Sequence, residues 1–422
     1  MKVVIVGGVA GGATAAARIR RLKEDAEIII LEKTGYISYA NCGLPYYIGD
    51  VIEESNNLIL QTPQSFKNRF CIDVRVNNEV ISVNSDKKYV VVKNVLTNET
   101  YQETYDKLIL SPGAKPLMPN ISGMDSNRIF TLKTVEDTFK MKKFIQDKNP
   151  KRVVIIGGGF IGMEMLENLL NLGLEVTLIE GSNQLLGQLD GDMASFVHVK
   201  LKNLGIRFFL NTVVSKFEDT GKGLNVFVDN QMILQTDIVL MTIGVVPETS
   251  FIKNTSITLG IKGSIVVNEK METSIEDIYA VGDAVEVNNF VTNERGLILL
   301  AGPANKQARI AADNICGLNS RYQGFQSSSI LKLFDWTIAS TGISEKQAKK
   351  LNINYEKVIL SPNSNASYYP YGDIMTIKVL YNKNNLHILG AQIIGTKGVD
   401  KRIDVFATAM RAQLKATELV NL

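Results

Sequence analysis

A glycine-rich turn near the middle of the chain has the residue spacing of a nucleotide-binding motif. Gly157, Gly159 and Gly162 form the pattern G-x-G-x-x-G between an apolar, β-branched run and a stretch of helix length. The first glycine permits a tight turn, the second lets the backbone approach a pyrophosphate, and the third allows helix and strand to pack closely. Glu180 ends the next β-branched run, where an acid binds a ribose 2′-hydroxyl. Residues 151–180 are therefore predicted to bind a dinucleotide.

The start of the chain repeats this arrangement with a less regular turn. In residues 2–32, Gly7 and Gly12 take the outer positions of the motif. Val9 takes the middle position, and Glu32 again ends the second β-branched run. The glycines distinguish this segment from a secretory signal, which also begins with a charge and an apolar stretch. Two dinucleotide sites in one chain favour a flavoprotein in which a nicotinamide nucleotide reduces a bound FAD.

A single cysteine lies in a stretch whose flanking residues indicate a loop. Cys42 follows Asn41 and precedes Gly43 and Pro45, and Tyr47 stands where a C-x-x-x-x-C pair would place a second cysteine. A lone cysteine of this kind reacts through a mixed disulfide with a small thiol or through a sulfenic acid. Burial as a small apolar side chain is the commoner role of an isolated cysteine, and these residues alone leave it open.

Composition excludes several classes of protein. The chain has 422 residues, of which 45% are hydrophobic and 21% charged, so it is not disordered. That length is enough for roughly two to four domains. Its apolar runs fall short of the about 20 residues that a membrane span needs. A net charge of +3, from 46 basic and 43 acidic residues, argues against a nucleic-acid partner. Three widely spaced cysteines exclude a disulfide framework and a usual zinc site, which indicates a reducing cytoplasm.

The order of the predicted elements specifies an α/β fold with two Rossmann-like domains. Each glycine turn joins a strand to a helix and then to a second strand, which is typical of parallel β-α-β units. The proline-containing stretch 111–123 predicts a crossover between the two domains. From about residue 325, strand-like runs over 329–341, 374–381 and 386–396 alternate with helical ones, which predicts a separate α+β domain.

Four motifs, in this order, resemble those of the FAD-dependent pyridine nucleotide–disulfide oxidoreductases. The two glycine turns are followed by TIGVVP at residues 242–247 and IYAVGD at residues 278–283, which resemble two further signatures of that family. The stretch SYANCGLPYY, at residues 38–47, resembles the single-cysteine branch of coenzyme A–disulfide reductases. That branch has NADH oxidases, NADH peroxidases and persulfide or polysulfide reductases among its relatives. The resemblance covers the whole chain.

The resemblance implies a homodimer whose subunit has three domains. Residues 1–115 and 246–322 would together bind FAD. Residues 116–245 would bind NAD(P)H, and residues 323–422 would form the α+β dimerisation domain. The resemblance also places a further tyrosine, and in some relatives a rhodanese domain, after Leu422, so we expect the native protein to extend beyond this residue.

The resemblance assigns residues to the two cofactors, FAD and NADH or NADPH. Asp283 would contact the ribityl chain of the flavin, and Phe160 would cover the nicotinamide face with Glu164 beside it. The full set comprises Gly7, Gly8, Gly11, Gly12, Glu32, Lys33, Asn41, Val80, Ser111, Gly113, Gly157, Gly159, Phe160, Ile161, Gly162, Glu164, Glu180, Gly244, Gly282, Asp283 and Ala301.

Coenzyme A carries a 3′-phosphate and a diphosphate, so a site for it needs cations. Arg18 and Arg21 are spaced to share one helix face, for which a solvated basic face is the alternative interpretation. The contacts that the resemblance assigns to coenzyme A fall on Thr14, Arg18, Arg21, Ser38, Asn41, Arg69, Asn305 and Arg309. Phe70 departs from the lysine that relatives often carry after the position of Arg69.

The resemblance implies that NADH passes a hydride to FAD and that the electrons then cleave a disulfide between Cys42 and coenzyme A. We expect a positive environment on the flavin side to hold Cys42 as the thiolate, its reactive form. Tyr369 of the partner subunit would donate a proton, with Tyr368 as the alternative. Glu180 predicts a preference for NADH, because its charge would repel the 2′-phosphate of NADPH.

Other activities remain open at the same cysteine. NADH oxidase or NADH peroxidase chemistry through a Cys42 sulfenic acid is the main alternative, and reduction of a persulfide or polysulfide is another. Oxidase and peroxidase relatives usually carry a histidine in the first glycine turn, where this chain has Ala10. His198 and His387, the only histidines, are expected to be structural.

Overall fold

The computed structural model of the protein describes residues 1–421. Its first part begins with an alanine-rich helix that lies between two apolar, β-branched strands in the sequence. The small alanine side chains let the helix pack closely against strands of this composition. The elements up to residue 116 are β1 (Lys2–Val6), α1 (Ala10–Leu22), β2 (Glu27–Leu31), α2 (Leu44–Ile48), α3 (Pro63–Phe70), β3 (Asp73–Arg75), β4 (Asn78–Asn84), β5 (Tyr89–Asn94), β6 (Thr100–Thr104), β7 (Lys107–Leu110) and β8 (Ala114–Pro116).

The middle part repeats this order of elements. Its first helix starts with a capping box, in which the Thr134 hydroxyl accepts a hydrogen bond from the Asp137 amide and the Asp137 carboxylate accepts one from the Thr134 amide. The elements are β9 (Ile129–Thr131), α4 (Val135–Lys148), β10 (Arg152–Ile156), α5 (Phe160–Asn171), β11 (Glu175–Ile179), α6 (Gly191–Asn203), β12 (Arg207–Phe209), β13 (Lys216–Asp219), β14 (Leu224–Val228), β15 (Gln231–Thr236) and β16 (Ile238–Met241).

The last part of the chain returns to the first domain and then forms a third. The returning elements are β17 (Val245–Pro247), β18 (Ile265–Val266), β19 (Ile278–Ala280), β20 (Val285–Asn288), β21 (Arg295–Leu297) and α7 (Ala301–Ile315). The final elements are β22 (Ser329–Leu333), β23 (Trp336–Gly342), α8 (Glu345–Lys350), β24 (Tyr355–Leu360), β25 (Met375–Asn382), β26 (Ile388–Gly395) and α9 (Val399–Arg411).

Two parallel sheets form the centres of the first two domains. Their strand orders are β19-β7-β1-β2-β3 and β12-β11-β10-β16-β9. In each sheet the strand before the glycine turn lies between two parallel neighbours, β2 and β7 for β1, and β11 and β16 for β10. Each domain also carries a three-stranded antiparallel sheet, β4-β5-β6 or β13-β14-β15. The predicted α/β fold with two Rossmann-like domains is confirmed.

The third domain is an antiparallel sheet with two helices. Its strand order is β22-β23-β26-β25-β24. The run predicted as one strand over 329–341 is a hairpin, because the chain turns at Phe334, whose φ is +54°. The edge strand β24 was not predicted, since five of its six residues are exposed and lack the alternation of a half-buried strand. Within residues 1–421, no helix combines the length and the apolar character that crossing a membrane requires.

Candidate active site

The two glycine turns have the same close approach between helix and strand. A Cβ atom on Gly12 would lie 1.8 Å from the carbonyl oxygen of Gly7. One on Gly162 would lie 2.0 Å from the carbonyl oxygen of Gly157. Only glycine therefore lets α1 and α5 start so close to β1 and β10. A Cβ on Gly159, by contrast, would have no neighbour within 4 Å, which leaves open space at the start of α5.

The first turn is fixed by the acid that follows β2. The Glu32 carboxylate accepts hydrogen bonds from the Gly8 amide at 2.8 Å and from the Thr34 amide at 2.9 Å. Glu32 is only 6% exposed, and burial raises the pKa of its carboxyl, an effect that the hydrogen bonds from Thr34 and Gly8 partly oppose. The carboxylate is thus a buried anchor for this turn.

The second turn is fixed in the same way by the acid that follows β11. The Glu180 carboxylate accepts a hydrogen bond from the Gly158 amide at 2.7 Å and another from the Ser182 amide at 2.8 Å. Phe160 and Ile161, both half-buried, form the first turn of α5 beyond it. The start of α5 therefore has a carboxylate, an aromatic side chain and the open space at Gly159 around it.

A cavity of about 290 Å³ lies beside the first turn. Gly7, Glu32, Lys33 and Val80 line it, together with Glu248, whose carboxylate lies 3.9 Å from the Lys33 ammonium. The lining combines apolar and polar residues, as the sites of small molecules and cofactors do. The cavity and the turn together therefore fit the adenosine end of FAD.

A second group of predicted cofactor residues lies near the start of α7. A Cβ atom on Gly282 would lie 3.6 Å from Ser111 Oγ and 3.8 Å from the Ala304 side chain. The next residue, Asp283, forms an ion pair of 3.1 Å with Lys133. A hydroxyl, a carboxylate and a helix start thus lie close together, which fits the polar ribityl chain of FAD.

Cys42 lies in a 3-10 helix, Asn41–Gly43, that continues directly into α2. The residue is exposed and free. The surrounding protein nevertheless raises the pKa of the Cys42 thiol by desolvation, Glu164 raises it further, Lys133 lowers it and Asp283 raises it. The residues of the chain therefore do not by themselves favour the thiolate predicted for Cys42, because desolvation and two carboxylates outweigh one ammonium.

A hydrogen-bonded tyrosine and glutamate lie close to Cys42. Tyr46, one helical turn after Cys42, donates its hydroxyl to Glu164 Oε1 at 3.3 Å. Burial raises the pKa of the Glu164 carboxyl to about 7, the Tyr46 hydrogen bond lowers it in part, and Glu167 raises it. Glu164 therefore changes protonation close to neutral pH, beside the cysteine.

Helices α1 and α7 bring together some of the predicted coenzyme A residues. Thr14 Oγ1 donates to Asn305 Oδ1 at 2.9 Å. Arg18 Nε forms an ion pair of 2.8 Å with Asp313, so its charge is already offset within the chain. The i, i+3 neighbour Arg21 is exposed on the same helix.

The other predicted coenzyme A residues lie at the surface or in the loop after β2. Arg69 and Arg309 are exposed, and the Arg69 guanidinium lies 5.1 Å from the centre of the Phe70 ring. Phe70 thus supports Arg69 by a cation–π contact instead of adding a second charge. Ser38, with φ +46°, donates its amide to the Gly8 carbonyl at 2.9 Å.

Tyr369 lies in the loop between β24 and β25. Its side chain is 49% exposed, and its ring centre lies 5.9 Å from that of Tyr371. Tyr368 is 89% exposed, and Ile359 and Leu360 on β24 are also exposed. Several exposed apolar and aromatic side chains in one segment are typical of an interface between proteins.

The sequence did not identify Lys133 or Tyr46 as site residues. For Tyr46 a signal existed, namely its position one helical turn after Cys42. Lys133 carries no motif, and its relation to Asp283 depends on the folded chain. Of the remaining predicted cofactor residues, Gly11 and Ala301 lie at the starts of α1 and α7 and Asn41 lies in the 3-10 helix. Gly113 and Gly244 lie in loops.

Two family models match the chain. The model described as pyridine nucleotide-disulphide oxidoreductase matches residues 1–308, and the model of the dimerisation domain of the same family matches residues 328–422. Among curated proteins, the coenzyme A disulfide reductase of Staphylococcus haemolyticus is 38% identical over 421 residues, which cover 100% of this chain and 94% of that protein.

Solved structures that resemble this chain have related names. The reduced CoADR-RHD of Bacillus anthracis has a TM-score of 0.97 at 48% identity, covering 100% of this chain and 76% of that one. The NAD-dependent persulfide reductase from A. fulgidus has a TM-score of 0.96 at 34% identity, covering 100% and 79%. The water-forming NADH oxidase from Lactobacillus brevis has a TM-score of 0.94 at 28% identity, covering 99% and 92%.

These matches confirm several predictions made from the sequence. The protein is an oxidoreductase of the flavoprotein type, its cofactors are FAD and NAD(P)H, and its C-terminal part is a dimerisation domain. The chain belongs to the pyridine nucleotide–disulfide oxidoreductase family.

Proposed function

We propose that this chain is one subunit of a homodimeric enzyme that uses FAD and NADH to reduce coenzyme A disulfide. The observation that carries the proposal is the environment of Cys42, an exposed cysteine without a second cysteine in its segment. It lies close to Lys133 and Asp283 of the flavin site and to Glu164 of the nucleotide helix. The relatives named coenzyme A disulfide reductase, which match over the full chain, support the choice of substrate.

The domain assignment follows the sheets. Residues 1–115 and 246–322 hold FAD, a division supported by the pairing of β19 with β7. Residues 116–245 hold NADH, and residues 323–422 form the dimer interface. The acid-anchored glycine turns and the cavity beside Val80 support these assignments.

The chemistry requires one nucleophile and one source of two electrons. When bound, FAD accepts a hydride from NADH and supplies two electrons to a disulfide. The Cys42 thiolate attacks one sulfur of coenzyme A disulfide, forms a mixed disulfide and releases one coenzyme A thiolate. Two electrons then break the mixed disulfide, which restores the Cys42 thiolate and releases the second coenzyme A thiolate. One NADH and one proton thus yield NAD⁺ and two thiols.

Proton transfer is assigned to residues of both subunits. The raised pKa of Cys42 means that its thiol must lose a proton before attack, and the Glu164 carboxylate, with a pKa of about 7, lies close enough to influence it. The partner's Tyr369 protonates the departing thiolate. Its exposed position in the loop after β24 supports a role across the interface.

The phosphates of coenzyme A are bound by arginines on the surface of the first domain. Arg21, Arg69 and Arg309 are exposed and supply most of the positive charge. Arg18 contributes only by exchanging Asp313 for a phosphate, because the two side chains form an ion pair in the chain itself. Thr14, Ser38, Asn41 and Asn305 are assigned to the same surface by the family motif.

A persulfide is the second candidate substrate, favoured by the relative of 34% identity whose name states that activity. The same cysteine would attack a sulfane sulfur without change to the rest of the site. We also propose the reducing cytoplasm as the location, which the three free cysteines within residues 1–421 support.

The substrate is tested by anaerobic turnover of NADH with coenzyme A disulfide, coenzyme A persulfide or hydrogen peroxide, and by aerobic turnover with no other acceptor. The proposal expects the disulfide to give the highest kcat/KM. A higher value for the persulfide would move the assignment to the second candidate. Turnover with oxygen or peroxide alone would contradict the proposal and favour sulfenic acid chemistry.

The shared site is tested by mixing Cys42→Ser subunits with Tyr369→Phe subunits. A heterodimer contains one intact site, so random exchange should restore about a quarter of the wild-type activity. Subunit exchange is measured separately by native mass spectrometry of differently tagged chains. Activity no higher than that of either parent, with exchange demonstrated, would contradict a site shared between subunits.

A further inference from the structure

A fully buried lysine joins the NADH-binding domain to the dimerisation domain. Lys378, on β25, has 0% of its side chain exposed. Its ammonium lies 3.0 Å from Asp190 and 2.8 Å from Asp192, at the start of α6 in the NADH-binding domain. It also lies 2.8 Å from Glu345, at the start of α8 in its own domain.

The charges of this cluster balance. Lys349 and Lys357 pair with Glu345 at 3.0 and 2.9 Å from its carboxylate oxygens. With Lys378 they offset the charges of the three carboxylates. A buried ammonium is costly unless it is paired and hydrogen-bonded, so removing Lys378 would leave uncompensated acids between the domains. The hydrogen bonds to Asp192 and Glu345 raise the pKa of Lys378 against the opposing effect of burial, so the lysine stays charged.

Asp190 binds the dimerisation domain at several further points. Its amide donates to Gln392 Oε1 at 2.9 Å, and the Gln392 amide group returns a hydrogen bond of 2.9 Å to its carboxylate. The same carboxylate accepts the amides of Glu345 and Lys346 at 3.2 Å each. The start of α6 is therefore fixed to β26 and to the start of α8.

From Asp190 the chain leads back to the second glycine turn. Residues 181–190 form the loop between β11 and α6, directly after the acid Glu180. Within this loop, the Leu186 amide donates to the Gly158 carbonyl at 2.8 Å. The Leu185 side chain lies against the turn, 2.4 Å from where a Cβ atom on Gly158 would be.

We propose that Lys378 is a positioning residue for the nicotinamide nucleotide. Acting through Asp190, it fixes the loop of residues 181–190, and this loop braces the glycine turn at Gly158. The dimerisation domain thereby controls the geometry of the NADH site without contacting NADH. This inference rests on the proposed binding of NADH at that turn, and it does not depend on which disulfide the enzyme reduces.

The test compares Lys378→Met with wild type in anaerobic stopped-flow reduction of the bound FAD by NADH. We expect the apparent Kd for NADH to rise about fivefold to tenfold, while the limiting rate of reduction stays within about twofold. Lys378→Arg should retain most of the affinity for NADH, because it keeps the positive charge. Lys357→Met, which removes an exposed partner of the same Glu345, is the matched control and should leave the Kd unchanged.

The half-reaction separates this inference from the proposed substrate, because it needs no disulfide. If wild type fails to reduce coenzyme A disulfide, the proposed function fails while the NADH titration still decides the role of Lys378. Asp190→Asn keeps the size of the side chain and provides the second variant if Lys378→Met does not fold. An unchanged Kd in a folded, FAD-containing variant would overturn the inference, as would an equal effect of Lys357→Met.

Discussion

The halves proposed to bind FAD and NADH use the same glycine turn and the same acid, but they differ in how deeply the acid is buried. Glu32 is 6% exposed and borders a cavity of about 290 Å³, whereas Glu180 is only partly buried. The middle position of the motif differs as well, with half-buried Val9 in the first turn and Gly159 in open space in the second. A buried anchor suits a cofactor that stays bound, and an open turn suits a nucleotide that exchanges in every cycle.

The largest expected effect comes from adding a methyl group to each turn. Gly12→Ala and Gly162→Ala place a Cβ atom 1.8 and 2.0 Å from a backbone carbonyl oxygen, so the helix must shift in both. We expect Gly12→Ala to lose FAD on purification. We expect Gly162→Ala to keep FAD, with the rate of its reduction by NADH lowered at least about a hundredfold.

Flavin absorbance and anaerobic reduction by NADH measure the two outcomes, with dithionite as the control that the flavin itself can still be reduced. Loss of FAD from both variants would show that the halves are not independent and would break the comparison.

A smaller effect concerns the choice of nucleotide in the NADH half. We propose that the Glu180 carboxylate faces the ribose, and residues 181–184 contain no cation to offset a 2′-phosphate. Repulsion between carboxylate and phosphate in a partly screened site is on the order of a few kcal/mol. We therefore expect kcat/KM to favour NADH over NADPH by about tenfold or more.

Steady-state kinetics with each nucleotide checks this expectation. Glu180→Gln removes the charge and keeps the size of the side chain, so it should reduce the difference in kcat/KM between NADH and NADPH. Equal efficiencies in the wild type would mean that Glu180 does not face the ribose.

The smallest effect is expected on the pKa of the Cys42 thiol, which charged residues of both halves influence. Glu164→Gln removes a carboxylate that raises the pKa of Cys42, so this pKa should fall. Lys133→Met removes the ammonium that lowers it, so the pKa should rise. The effect of Glu164 should be present above its own pKa of about 7 and should fade below it, where the carboxyl is protonated.

The pH dependence of Cys42 alkylation, followed by peptide mass spectrometry, measures this pKa. Both variants are made in a Cys71→Ser background, because Cys71 is also exposed. Shifts of the same sign in both variants would contradict the charge assignment.

The sequence predicted the parts of the site that are local in the chain. Each glycine turn and its acid lie within about 30 residues of each other, and their spacing alone indicated the β-α-β unit and its ligand. The exposed strand β24 was missed because exposed residues carry no alternating pattern. Residue spacing within a short segment therefore predicts the glycine turns well and an exposed edge strand poorly.

Contacts between distant segments could not be predicted in the same way. Arg18 was assigned to coenzyme A, but its charge is offset by Asp313, which lies 295 residues away. The raised pKa of Cys42 could not be predicted for the same reason, since its main causes, desolvation and Glu164 of the second domain, depend on the folded chain. Charge balance depends on which segments fold together, and a single sequence does not specify this.

The central claim is that electrons pass from NADH through FAD to a disulfide held by Cys42, and that no other residue of the chain can take the place of Cys42. Anaerobic reactions of Cys42→Ser and of the control Cys71→Ser test it most directly, first with NADH and then with coenzyme A disulfide. We predict that NADH reduces the FAD of both variants and that only Cys71→Ser then forms coenzyme A thiol. Full turnover of coenzyme A disulfide by Cys42→Ser would contradict the claim.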